Sequence, residues 1–337
     1  MGSPFPRSPI EPGRTGDLAA SPTPVWIYTP PPPQNAWQRW GRNLLLFLLT
    51  VASVFLTAAL LVIPGEQTIL ALDVGAGLRL AGGLLGILVA HEMGHYLACR
   101  YYRVDATLPF FIPAPLLSFV GTLGAFIRIR APIPHRRALF DIGVAGPLAG
   151  FAVCLPVLWL GLKEARVLAL DPAADGVFLG EPLLFQWVAG LIHGPLPDEM
   201  TLTLGPLGLA AWFGLFVTAL NLIPVGQLDG GHVTYSLLRR RAHRISRIAW
   251  WVCVALVYFG PNWILWAIIL KVLGRRHPPT LNDHIPVGRG RVIVGVVSLV
   301  VFVVCFVPNP IIFSWADFFE AVGLLSLIHI SEPTRQV

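Results

Sequence analysis

Long apolar runs separated by short polar stretches make up most of the chain. The first covers residues 43–63. At about 1.5 Å rise per residue a helix of that length spans a hydrocarbon core of about 30 Å. The run is longer than a signal-peptide core and has no clear small-residue cleavage site, so it reads as a retained helix. A second run, residues 80–98, carries His91, Glu92 and His95, which is unusual for a membrane span. Residues 105–134 are rich in Pro and Gly, and Phe126-Ile127-Arg128-Ile129-Arg130 alternates with period two, predicting a short strand. Further runs cover 140–162 and 206–225. Between them, residues 163–204 carry Asp171, Asp175, Glu181, Asp198 and Glu199 and are expected to form a loop region outside the membrane. Residues 248–273 are apolar but broken by Gly260-Pro261-Asn262, so they cross once or form a re-entrant hairpin. Arginines at both ends (Arg247, Arg275, Arg276) favour the hairpin. The last run is 292–307. The pattern predicts an all-α polytopic membrane protein with five to six transmembrane helices and a short extended segment between the second and third spans.

Both ends of the chain read differently. Residues 1–36 contain Pro30-Pro31-Pro32-Pro33 and too little apolar surface to offset chain entropy, which predicts a flexible tail. Residues 37–310 are expected to form the membrane-embedded domain, and residues 311–324 a partial C-terminal segment. Residues 325–335 resemble the in-frame translation of a sequencing adapter, so 325–337 are set aside as read-through and His329 is given no role.

Composition agrees with the pattern. Hydrophobic residues are 55% of the 337 and charged residues only 12%, about half of the roughly 25% usual for soluble domains. The mean hydropathy is +0.69. A soluble enzyme this apolar could not cover its core, and the composition equally excludes a disordered protein or a secreted disulfide scaffold. Cys99, Cys154, Cys253 and Cys305 all sit in apolar runs with no Cys-x-x-Cys pair, so neither a redox motif nor a thiolate metal site is indicated. The net charge of +6 comes from arginines that flank apolar runs, which argues for topology and anionic headgroups rather than nucleic acid. Their distribution places the N-terminus and residues 99–139 and 226–247 on the cytoplasmic side. Compact size and the adapter-like tail suggest a bacterial inner (plasma) membrane, with His91, Glu92 and His95 toward its cytoplasmic side.

The candidate chemistry begins at His91-Glu92-Met93-Gly94-His95. On a helix, residues i and i+4 share a face, so both imidazoles can hold one tetrahedral zinc. Glu92 lies beside them and can serve as general base toward an attacking water. Ionisable groups this close together in an apolar run are costly, roughly 2.5–3.5 kcal/mol for a central charge, and are rarely kept without a use. A hydrolytic zinc site needs a third protein ligand and an open position. Asp229 is the best candidate, in Asn221-Leu222-Ile223-Pro224-Val225-Gly226-Gln227-Leu228-Asp229-Gly230-Gly231. Pro224 ends the preceding helix, and the glycines allow a tight turn beside the metal. The plainer alternative for Asp229 is an Asp-Gly turn capping the next helix. Asn221 is a candidate for holding the substrate backbone or a developing oxyanion, against an ordinary helix–helix hydrogen bond. His232 reads as a helix-start residue, and His135, His193, His243, His277 and His284 as interfacial.

These two motifs resemble those of the site-2 protease family of intramembrane zinc metalloproteases, in the branch with plastid and cyanobacterial members. Gly121-Thr122-Leu123-Gly124-Ala125 and Phe140-Asp141-Ile142-Gly143-Val144-Ala145-Gly146-Pro147 resemble the family's segments between them, and the likeness extends over residues 75–310. It implies one zinc ion per chain on His91, His95 and Asp229, with Glu92 as base. The expected activity is hydrolysis of peptide bonds within or near transmembrane segments of membrane-protein substrates in the lipid bilayer, with no nucleic-acid partner. Residues 163–204 are too few for a PDZ insertion. Oligomeric state is not readable.

Two other classes compete. A transporter or channel using buried His and acidic groups would show paired repeats and polar positions along several spans, and neither is present. A non-catalytic scaffold would have lost Glu92 or a ligand, and all four positions are intact.

Overall fold

Asp73 starts the helix that carries the histidines: its side chain accepts the backbone N–H of Ala76 at 2.9 Å, a regular N-cap. That helix, α2 (Val74–Tyr101), follows α1 (Ala36–Ala59). The structure is a computed structural model that describes residues 36–60, 73–115, 117–169, 178–197, 199–272, 274 and 277–312. The Pro-rich tail and the segments after residue 312 lie outside these. The described residues belong to one unit, Gln34–Val337.

Beyond α2 come β1 (Phe110–Pro113), β2 (Thr122–Phe126), α3 (Arg136–Lys163), β3 (Arg166–Ala169), α4 (Leu183–His193) and β4 (Met200–Thr203). Then follow α5 (Pro206–Leu222), α6 (Asp229–Leu238), a 3-10 turn at Arg239–Arg241, α7 (Ala242–Leu256), α8 (Asn262–Val272) and α9 (Arg289–Cys305). Among the described residues the architecture is mostly helical with two small two-stranded antiparallel sheets, β1-β2 and β3-β4. Among the described residues, three helical segments are long and apolar enough to cross a membrane: Trp40–Ala59, Val74–Tyr101 and Arg136–Lys163. α5 and α9 follow the expected apolar runs but have 17 residues each.

Two expectations are corrected. The strand expected at residues 126–130 lies earlier, at Thr122–Phe126, because its register is set by β1. Phe110 pairs with Phe126, their rings stacked at 5.6 Å, and only an isolated bridge, Ala106–Ile129, continues the pairing. The expected loop region 163–204 holds α4 and the β3–β4 ladder. α4 forms because Phe185 and Ala189, four apart, bury against the core beside Trp212 and Leu158.

The central core joins α2, α3, α5 and α9 through residues such as Ile87, Leu158, Leu215 and Val301. A second cluster packs α1 and β1 against α2 around Val54, Leu84 and Phe111. Residues 248–273 form two short helices, and Trp250 Nε1 donates to the Ala267 carbonyl at 3.0 Å across them. α9 is pinned at its start by Arg291, which donates from Nε to Asp141 Oδ1 at 2.7 Å and from Nη2 to Oδ2 at 2.6 Å. Tyr102 donates to the same carboxylate. This polar clamp joins the end of α2 to α3 and α9.

Candidate metal centre

His91, Glu92 and His95 sit ten or fewer residues from the C-terminal end of α2, with His91 about 15 Å from it along the axis. All three are buried, with relative exposures of 4%, 5% and 5%. The i, i+4 spacing brings the two rings edge-to-face at 4.8 Å and their Nε2 atoms to 3.1 Å. Asp229, the first residue of α6, aims Oδ2 at both, 3.3 Å from each Nε2. The three donor atoms form a nearly equilateral triangle. Ligand atoms held about 2.0–2.1 Å from a tetrahedral zinc stand roughly 3.3–3.4 Å apart, so these residues already have the spacing and the N, N, O chemistry of such a site. Among the described residues this is the one group of three or more His, Cys, Asp or Glu able to hold an ion.

The tautomer of His95 is fixed. A carbonyl oxygen can only accept, so the 2.7 Å contact of Nδ1 with the Ile142 carbonyl makes Nδ1 the protonated nitrogen and leaves the Nε2 lone pair for the centre. Gly146, one turn along α3 from Ile142, lets that helix lie against the ring: a Cβ there would stand 2.1 Å from His95 Nε2.

Asp229 is delivered by the turn after α5. α5 ends at Leu222, ahead of Pro224. Gly226 takes a positive φ of 55°, and its N–H donates to the Ser246 hydroxyl of α7 at 3.1 Å. Gly230 serves close approach rather than unusual backbone angles, since a Cβ there would meet the Leu222 carbonyl at 2.0 Å. The Asp-Gly turn is therefore real, and it also puts the carboxylate on both imidazoles.

The structure brings two further residues to this group. Asn221 Nδ2 lies 3.3 Å from His91 Nε2. The backbone N–H of Ile127, just past β2, faces the Glu92 carboxylate. The β1–β2 hairpin thus reaches the glutamate, a contact between distant segments with no local signal. The role of Gly146 had one, in the spacing of Gly143, Gly146 and Gly150 along α3.

The remaining histidines are corrected or placed. His277 is buried rather than interfacial. Its Nδ1 donates to the Pro278 carbonyl at 2.5 Å, its Nε2 lies 2.7 Å from His232 Nδ1, and its ring stacks on Tyr235 at 4.6 Å. Burial lowers its pKa from the ordinary 6.5. Tyr235 donates to Asp283 Oδ2 at 2.6 Å. Burial, then this bond, pushes the phenol up to about 12. Burial alone would raise the Asp283 carboxyl, but hydrogen bonds from Tyr235 and Thr280 outweigh it and hold the carboxyl below 3.8. His135 caps α3 by accepting the Ala138 N–H, His193 bonds the Leu162 carbonyl, His243 stacks on Tyr235, and His284 is exposed.

Comparison with known proteins adds an independent line. The family model described as Peptidase family M50 matches residues 80–259. A protein of Arabidopsis thaliana named "Probable zinc metalloprotease EGY1, chloroplastic" is 31% identical over 322 residues, covering 87% of this chain and 56% of the relative. Its rice (Oryza sativa subsp. japonica) counterpart of the same name is 31% identical, covering 87% and 54%. "Probable zinc metalloprotease EGY2, chloroplastic" of Arabidopsis thaliana is 29% identical, covering 70% and 43%. The chain spans about half the length of these relatives. Their names place them in chloroplasts, which overturns the expectation of a bacterial inner membrane.

Proposed function

The chain belongs to peptidase family M50, and from that premise we propose that it is a zinc-dependent intramembrane protease. It would hydrolyse peptide bonds within or near transmembrane segments of membrane proteins, in a plastid membrane as the chloroplastic relatives suggest. The observation that carries the reading is the triangle that His91 and His95 of α2 form with Asp229 of α6, beside the buried Glu92.

His91, His95 and Asp229 would hold one zinc ion per chain. When bound, zinc would lower the pKa of a water towards about 7 and polarise the scissile carbonyl. Glu92 takes the proton of the attacking water and delivers it to the leaving amine nitrogen. The Ile127 N–H orients the Glu92 carboxylate for this transfer. Asn221 carries amide hydrogens at the same end of the site, suited to a developing oxyanion. A helical substrate must unwind first, because its carbonyls are already hydrogen-bonded. The segment around Gly121–Arg130 would receive the extended chain by strand addition, since β2 pairs with β1 on one edge only among the described residues.

For the membrane, we propose five crossings. α5 and α9, at about 25 Å each, are at the short end of the spanning range. α7 and α8, with 15 and 11 residues, are shorter still, so the pair forms a re-entrant hairpin.

The test replaces Glu92 by Gln in the purified chain and follows bound zinc together with cleavage of a membrane-embedded reporter. Retained zinc with cleavage reduced by two or more orders of magnitude is expected. Full cleavage by this variant removes Glu92 as the base, and a zinc-loaded wild type inactive on all reporters favours a scaffold.

A further inference from the structure

α6 ends on Arg239, a non-glycine residue held at φ 54°, ψ −130°. Such a conformation is strained for a residue with a side chain and persists only where its surroundings impose it. It begins the turn Arg239–Arg241, from which α7 leaves. Arg239, Arg240, Arg241, Arg244 and Arg247 are all exposed, and among the described residues none forms an ion pair. Leu237, Leu238 and the first three arginines line an open groove of about 480 Å³.

The outward face of α7 then changes character within one turn. Arg244, Arg247, Ile248, Trp251 and Val252 follow helical spacing along one stripe, while Ala242, Ser246 and Cys253 face inward. Ile248 is 63% exposed, Trp251 57% and Val252 52%. A partner for this stripe must be anionic at one end and apolar at the other. A soluble anion satisfies only the arginines, whereas an anionic lipid satisfies both halves: headgroup on the guanidiniums, acyl chain along Ile248 and Val252, indole at the boundary.

We propose that Arg239–Arg241 together with the outward face of α7 forms a binding site for an anionic lipid headgroup and its acyl chain. The proposal rests on the membrane-embedded reading above, and its readout does not need catalysis. The full chain is purified in neutral detergent and titrated with phosphatidylglycerol or phosphatidylcholine, and bound lipid is counted by native mass spectrometry. Wild type is expected to retain phosphatidylglycerol preferentially. Combined Arg240→Gln, Arg241→Gln, Arg244→Gln and Arg247→Gln substitution is expected to cut that retention about tenfold or more. Lys at the same four positions keeps the preference and shows that the fold tolerates change there. Equal uptake of both lipids by wild type overturns the proposal. So does an undiminished preference in the Gln variant, or displacement of phosphatidylglycerol by millimolar inorganic phosphate, which would mark an ion site without an apolar half.

Discussion

His95 donates its Nδ1 hydrogen to the Ile142 carbonyl at 2.7 Å, and one turn further along the same helix Gly146 leaves room for the ring's other nitrogen. One helix thus both aims the ligand and makes space for it. Gly146→Ala separates these roles. In a helix interior Ala is favoured over Gly by roughly 1 kcal/mol, so local propensity alone predicts a more stable protein. The added Cβ falls 2.1 Å from Nε2, and the ring cannot swing away without breaking its bond to Ile142. The expected result is a folded protein whose zinc affinity, measured by competition with a chelating dye, falls at least about tenfold, the low end for disturbing a ligand's support. Unchanged affinity would show that α3 moves freely.

Ile127 tests the hairpin's contact with Glu92. Proline removes the N–H that faces Glu92 and also blocks strand pairing at that point. Losing a hydrogen bond to a charged acceptor costs about 1.5–3 kcal/mol, or roughly ten- to a hundredfold in rate if the bond matters to the reacting carboxylate. Ile127→Pro should therefore lower kcat by that factor with zinc content unchanged, while Ile127→Val, which keeps the N–H, should behave as wild type. Normal cleavage by the proline variant argues against both contact and strand addition.

What the sequence discloses of this site follows the range of the interactions. His91 and His95 are legible because i, i+4 spacing is local geometry and needs no fold. Asp229 is legible through chemistry, since two imidazoles require a third ligand and the turn after Pro224 offers a carboxylate. The Ile127–Glu92 contact is invisible because it joins a strand end to a helix through tertiary packing alone. Among the helices, the long apolar runs announce themselves. α4 does not, because its apolar run is only 11 residues long and is flanked by the acidic residues that suggested a loop. The Phe126–Arg130 alternation was a true extended signal in the wrong place: a period-two pattern gives faces, and β1 supplies the register.

Ser246 carries the third prediction. Its hydroxyl accepts the Gly226 N–H in the turn that presents Asp229, in a buried setting. Ser246→Ala leaves that N–H without its partner, a penalty of about 1–3 kcal/mol. The loss falls on the turn rather than on α7, where Ala is a better helix former. Zinc should dissociate faster, with affinity down roughly tenfold, and Ser246→Thr should restore much of it by supplying a hydroxyl. Equal zinc release rates for Ala and wild type would mean that the turn is held by its own internal bonds.

The last prediction concerns acid. His277, Tyr235 and Asp283 form one knot between α6 and the segment before α9. The His277 imidazole has its pKa lowered from 6.5, so below that pH the unfolded chain binds a proton that the native state resists, and stability falls toward the folded pKa. Asp283 is held below 3.8, so its contribution is full above 3.8 and is lost as pH falls through the folded value. Tyr235 works in the opposite direction: its phenol, raised from 10.0 to about 12, stabilises below 10.0 and loses that contribution as pH rises through about 12. The knot is therefore strongest between about pH 7 and 10, with one acid step beginning near 6.5 and a second below 3.8. His277→Gln retains an acceptor for the His232 N–H but cannot titrate. Thermal unfolding at constant ionic strength should then show a shallower decline below pH 6.5 than wild type, even if the variant is less stable throughout. Parallel declines in the two proteins would assign the acid step to other groups.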